Sequence, residues 1–81
     1  MKESEIKDKK VVREVNKGFE YMTQLESQTL EEIDLSFNKI RDMSIMAGWN
    51  CPNLKKIFLR FCGADKIGSL NLPSLESINL S

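Results

Sequence analysis

The sequence predicts an α/β chain in which short parallel strands stack unit upon unit behind an N-terminal helix. Three observations predict it. Leucines and isoleucines recur with one spacing in three segments. Those segments begin at Leu30, Leu54 and Leu75, at offsets of 24 and 21 residues. Before Leu30 the apolar residues change to a helical period instead.

The first segment runs from Leu30 to Ile40, the second from Leu54 to Ala64, and the third from Leu75 to Ser81. Each carries aliphatics at relative positions 1, 4 and 6: Leu30, Ile33 and Leu35; Leu54, Ile57 and Leu59; Leu75, Ile78 and Leu80. The alternation at positions 4 to 6 is that of a short strand with one buried face. One such strand cannot cover its own apolar side, so stacked units must share an interior. Position 9 holds Asn38 and then Cys62. Asn38 can satisfy backbone groups of the turn that follows the strand. Cys62 can fill the same place as a small buried group.

The connections follow. Asp42 or Ser44 is a candidate cap for a short helix carrying Ile45, Met46 and Trp49, with Trp49 expected in the core. Pro52 ends that helix, since the residue before a proline is biased away from helical geometry. Asp65 to Ser74, with Gly68 and Pro73, reads as a loop.

Residues 1–29 lack the spacing of the later segments. Val12, Val15, Phe19 and Met22 fall three or four apart, with Leu25 on a similar side, which is one face of a helix. The first reading is therefore a helical cap over the open end of the core. The second reading is an earlier unit, with Ile6 and Val11 lying 24 residues before Leu30 and Leu35. Lys9 then stands where Ile33 does, which speaks against it. The expected organisation is a capping segment at 1–29 and units at 30–53, 54–74 and 75–81.

These segments resemble the leucine-rich-repeat family, whose units of about 20–29 residues carry L-x-x-L-x-L-x-x-N/C-x-L. The resemblance covers Leu30 to Ser81 and implies a leucine-rich-repeat solenoid: two full repeats and one truncated repeat, with a short parallel sheet and an N-terminal helical cap. Cys51-Pro52-Asn53-Leu54 through Cys62 is also similar to the cysteine-containing subclass found in F-box ubiquitin-ligase adapters. That similarity covers one repeat; Ser27 and Leu72 stand where Cys51 does in its neighbours. The family role implied is a protein-binding scaffold. The alternative is the recognition region of a larger intracellular protein, an immune receptor or an F-box-type adapter. The third motif breaks off at Ser81, so the expectation is a fragment of a longer array or a chain that docks onto another.

Composition narrows function further. The chain has 81 residues with twelve basic and twelve acidic side chains, a net charge of zero. It has no broad attraction for nucleic acid or anionic lipid. No apolar run approaches the ~20 residues that span a bilayer, and the charged N-terminus has no signal-like apolar stretch. A cytoplasmic or nuclear location is expected. Two cysteines and no histidine predict free thiols, no metal site and no cofactor. Without histidine there is no Ser-His or Cys-His pair, and Gly63 and Gly68 lack a P-loop context, so no catalysis is expected.

Binding is the positive expectation, with another protein as the partner. Side chains between the inward aliphatics face a concave surface: Glu32, Asp34, Ser36 and Phe37; Lys56, Phe58, Arg60 and Phe61; Ser77, Asn79 and Ser81. Parallel strands about 4.8 Å apart make equivalent positions lateral neighbours. Glu32 then lies beside Lys56, Asp34 beside Phe58 and Asn79, Ser36 beside Arg60, and Phe37 beside Phe61. Aromatic and arginine side chains on a rigid sheet are typical interface anchors, and Phe58 is the sharpest candidate. For Phe37 and Phe61 a binding role and packing against neighbouring turns both stand. Glu32 and Lys56 can also pair with each other, which contributes little at a surface.

Overall fold

A computed structural model describes residues 3–80. Helix α1 spans Glu3–Ile6. Strands β1 (Val11–Arg13), β2 (Glu32–Asp34), β3 (Lys56–Phe58) and β4 (Ser77–Asn79) follow, with a 3₁₀ segment at Ser44–Gly48 between β2 and β3. The strands form one parallel sheet in the order β1-β2-β3-β4. Parallel neighbours require the chain to cross back after every strand. Residues 14–31, 35–55 and 59–76 make those returns.

The register places Val12, Ile33, Ile57 and Ile78 in one row across the sheet. Side chains alternate between faces, so this row enters the core while its flanking residues point away. Val12, Ile33 and Ile57 are buried, as are Leu30, Leu35, Leu54 and Leu59. The returns close the other side with Leu25, Ile40, Met43, Met46, Trp49, Cys51 and Leu72. Each fully buried aliphatic stabilises the fold by about 1.5–3 kcal/mol. Trp49 lies in this core, and its Nε1 donates to the Thr23 carbonyl at 2.9 Å. The 3₁₀ segment begins at Ser44 with Met43, rather than Asp42 or Ser44, as its cap residue and no side-chain cap hydrogen bond. Asp42 lies just before it, its Oδ1 accepting the Ser44 amide at 3.0 Å and the Ser44 hydroxyl at 2.6 Å. No helix forms over Asp65–Ser74, in line with the loop expected there.

The N-terminal segment corrects the expectation of a helical cap. Among the described residues of this segment helix is confined to Glu3–Ile6, and Val11–Arg13 is a strand paired with β2. The sheet thus has four strands rather than three. The second reading placed a strand here, but in another register: Val12, not Lys9, lies opposite Ile33. Backbone chemistry explains the outcome. The β-branched pair Val11-Val12 favours extended chain. Asn16 (φ 54) and Gly18 (φ 73) adopt left-handed conformations that interrupt any helix from Val12 to Met22. Phe19 and Met22 still pack on the core, while Val15 is exposed.

Two further expectations are corrected. Ser36 is buried rather than facing solvent, and its Oγ accepts the Arg60 amide at 3.1 Å. Alternation ends where the strand turns, and Ser36 is already in the turn. Leu80 is 47% exposed rather than inward, and Leu75 and Ile78 are only half-buried. Among the described residues, strand β4 has a neighbour on one side alone. Ser81 lies outside the described residues.

Asn38 and Cys62 sit at the strand ends as expected. Asn38 is buried and joins β1 to β2 through four hydrogen bonds. The Cys62 thiol approaches the Leu35 carbonyl at 3.0 Å. Burial pushes both thiols, Cys51 and Cys62, above their ordinary value of 9.0. A group whose pKa is raised by folding stabilises the fold fully below its unfolded value and loses that contribution as pH rises. Thermal stability is therefore expected to fall as pH climbs through 9 and beyond, because the unfolded chain ionises its thiols more readily. In melts from pH 7 to 10.5, a Cys51→Ala/Cys62→Ala variant should show a shallower alkaline decline than the parent. An identical slope in the two proteins refutes this account.

Candidate functional site

The strand register that points the Val12–Ile33–Ile57–Ile78 row toward the core turns two other rows to the opposite face. One is Val11, Glu32, Lys56 and Ser77; the other is Arg13, Asp34, Phe58 and Asn79. The strand neighbours expected from sequence are present, Glu32 beside Lys56 and Asp34 beside Phe58 beside Asn79, and the structure adds Arg13 beside Asp34. Arg60 follows Ser36 across the turn, its amide bonded to the Ser36 hydroxyl.

This face holds a hollow of about 210 Å³ lined by Val11, Val12, Arg13, Glu32, Asp34, Phe58 and Arg60. Phe58 is half-buried, and the Arg60 guanidinium lies 5.6 Å from its ring centroid. That distance is within the range of a cation–π contact, which fixes the arginine over the aromatic floor. Glu32 Oε1 lies 3.9 Å from Lys56 Nζ, so those two charges largely answer each other. Asp34 Oδ1 accepts the Ser36 amide at 3.0 Å. Among the described residues neither Arg13 nor Arg60 has an ion-pair partner.

Phe37 and Phe61 stand at the turns that leave β2 and β3. Their rings stack with centroids 5.0 Å apart and planes inclined at 21°. Both remain exposed, Phe37 at 53% and Phe61 at 69%. Both also hold positive φ, 62° and 56°. A bulky side chain in the left-handed region costs roughly 1–2 kcal/mol relative to ordinary backbone. The amide of Phe37 donates to the Arg60 carbonyl at 2.9 Å, which helps hold the turn in place. The rings pack on each other, not into the core.

Sequence reasoning did not bring Arg13 or Val11 to this face: Arg13 fell within the expected capping helix, and Val11 was named only in the second reading, as the match to Leu35. The signal was present: a β-branched pair, then a left-handed-tolerant Asn16 and Gly18, repeats the strand-then-turn order seen at Ile33 to Phe37. A larger hollow, about 480 Å³, lies between α1 and residues 26–29, lined by Ser4, Lys7, Asp8, Glu26, Ser27, Gln28 and Thr29. It contains no aromatic anchor. Among the described residues no group of three His, Cys, Asp or Glu side chains could hold a metal ion. No helix among them is long and apolar enough to cross a membrane. Comparison with family models, curated proteins and solved structures finds no match to this chain.

Proposed function

We propose that this chain is a leucine-rich-repeat solenoid segment that binds another protein, without catalysis, on the sheet face opposite its core. One observation carries the reading. A regular parallel ladder sets Arg13, Asp34, Phe58 and Asn79 in a row, with Arg60 held over Phe58 at the edge of a shallow hollow. Aromatic and arginine side chains on a preorganised surface are the residue types that dominate binding energy at interfaces. The recurrence of Leu30, Leu54 and Leu75 ahead of the strand isoleucines Ile33, Ile57 and Ile78, the first two buried and the third half-buried, supports the repeat assignment. So do the paired amides bonded to one carbonyl at each strand entry: Glu31 and Glu32 to Lys10, Lys55 and Lys56 to Glu31, Glu76 and Ser77 to Lys55.

The test separates binding from folding. Phe58→Ser with Arg60→Ala should abolish retention of the proteins that the immobilised parent chain holds from a cell extract. Its stability should drop by no more than about 1 kcal/mol, since both side chains leave the face away from the core. Unchanged retention defeats the reading. So does loss of the cooperative unfolding transition, which would make these residues part of the core.

A further inference from the structure

The fold accepts an unfavourable arrangement at Phe37 and Phe61. Each holds a left-handed backbone conformation that bulky side chains avoid. The equivalent turn after β1 carries Asn16, with φ 54, a residue that tolerates this geometry. The conformation belongs to the turn shared by all three units, but both phenyl rings are exposed, so the choice of phenylalanine there is not explained by core packing. Bulky residues kept at strained and exposed positions collect at functional surfaces.

The charges around the rings are not balanced. Residues 13–18, 34–39 and 58–63 contain the basic side chains Arg13, Lys17, Lys39 and Arg60 against the acids Glu14 and Asp34. Among the described residues none of those four cations has an ion-pair partner. At the other end of the strands the charges do pair, Glu31 with Lys55 and Glu32 with Lys56. The six side chains at the aromatic end of the sheet, four basic and two acidic, leave a local excess of two positive charges there, with Glu20 and Asp42 lining the hollow beside Lys39.

We infer that the stacked Phe37–Phe61 pair anchors an acidic peptide segment of a partner protein. An aromatic or aliphatic side chain of that segment caps the rings, and its carboxylates lie over Arg13, Lys17, Lys39 and Arg60. This rests on the protein-binding reading of the same face. A single-stranded nucleic acid also uses aromatic and arginine side chains. The zero net charge of the chain favours a peptide, whose few carboxylates need only the local excess.

The probe is a fluorescein-labelled nonapeptide with one central tryptophan flanked by aspartates and glutamates, followed by fluorescence anisotropy. Controls replace the acids with lysines, replace the tryptophan with serine, or substitute a twelve-nucleotide oligo(dT). The acidic tryptophan peptide should bind at least tenfold tighter than every control, and more weakly as salt rises. Phe37→Asn/Phe61→Asn should weaken it at least tenfold with melting temperature unchanged or raised. No binding of the acidic peptide at millimolar concentration overturns the inference. Equal binding of the lysine or serine peptide, tighter oligo(dT) binding, undiminished binding by the double variant, or a lower melting temperature in it does the same. The Phe58→Ser/Arg60→Ala protein separates the two readings. If it loses the peptide while the Phe37→Asn/Phe61→Asn protein keeps it, the sheet face binds and the anchor assignment fails. If both variants keep it, the sheet-face reading fails as well.

Discussion

Ile57→Asp should abolish the cooperative unfolding transition of this chain. Ile57 is 1% exposed and sits in the interior row, flanked by Ile33 on one side and Ile78 on the other. Removing a buried isoleucine side chain costs about 2–5 kcal/mol through lost burial and the cavity left behind. The aspartate adds several more, because its carboxylate is buried away from water or must take up a proton to stay there. A chain of this length is expected to have a total stability of only about 4–12 kcal/mol. The sum of the two losses reaches that range. Circular dichroism during a urea titration is the measurement: the parent should show a sigmoidal transition, the variant a featureless slope. Ile78→Asp should be milder, because Ile78 is half-buried on the edge strand. An Ile57→Asp protein that melts like the parent would mean that the isoleucine row does not face the core.

That row was the part of the fold most legible in the sequence. Ile33, Ile57 and Ile78 share one position relative to Leu30, Leu54 and Leu75, and a period of two leaves no choice about which face they take. The neighbour relations of Asp34, Phe58 and Asn79 follow from the same register. Strand β1 was hidden because it keeps only one of the three aliphatics. Val12 matches Ile33, but Lys9 and Glu14 fall at the places of Leu30 and Leu35 in the observed register. A three-residue strand followed by a turn and a loop can place Val12, Val15, Phe19 and Met22 at helical spacing by accident. Periodicity cannot discriminate over so short a span. The left-handed pair at Asn16 and Gly18 was the better guide.

Side-chain ties between successive returns were also missed. The residue before each leading leucine is short and polar: Thr29, Asn53 and Ser74. Each donates to a backbone carbonyl, of Lys9 at 3.0 Å, Gln28 at 2.6 Å and Pro52 at 2.6 Å respectively. Their shared position was visible, but a polar residue in a turn usually hydrogen-bonds locally. Their partners, 20 to 25 residues away, exist only once the returns are stacked. The exposed rings of Phe37 and Phe61 show the same boundary. Adjacency was derivable from the strand offset, whereas the positive φ that turns both rings outward is a property of the folded turn.

Asn38→Ala is expected to produce the other large loss, by detaching β1 from the sheet before the rest unfolds. Asn38 Nδ2 donates to the carbonyls of Glu14 and Leu35, each at 2.8 Å. Its Oδ1 accepts the amides of Lys17 at 2.9 Å and Phe19 at 3.1 Å. Three of those four backbone partners belong to the segment after β1, so one side chain ties that turn to the end of β2. Alanine offers neither donor nor acceptor. An orphaned buried group costs about 1–3 kcal/mol, and water can reach some of these four, so a loss of about 3–5 kcal/mol is expected. Cysteine is the informative second substitution. Cys62 occupies the corresponding place after β3 and reaches the Leu35 carbonyl with its thiol. Asn38→Cys should therefore keep a small buried group and one weak donor, and recover part of the loss. Hydrogen exchange resolves where the damage falls. In the alanine variant the amides of Lys17 and Phe19 should exchange rapidly, while those in the β2–β3 ladder, such as Leu35, stay protected at first. Equal acceleration throughout would mean that β1 and the remaining strands open as one unit. An unchanged melting temperature would mean that the four hydrogen bonds add nothing that water does not replace.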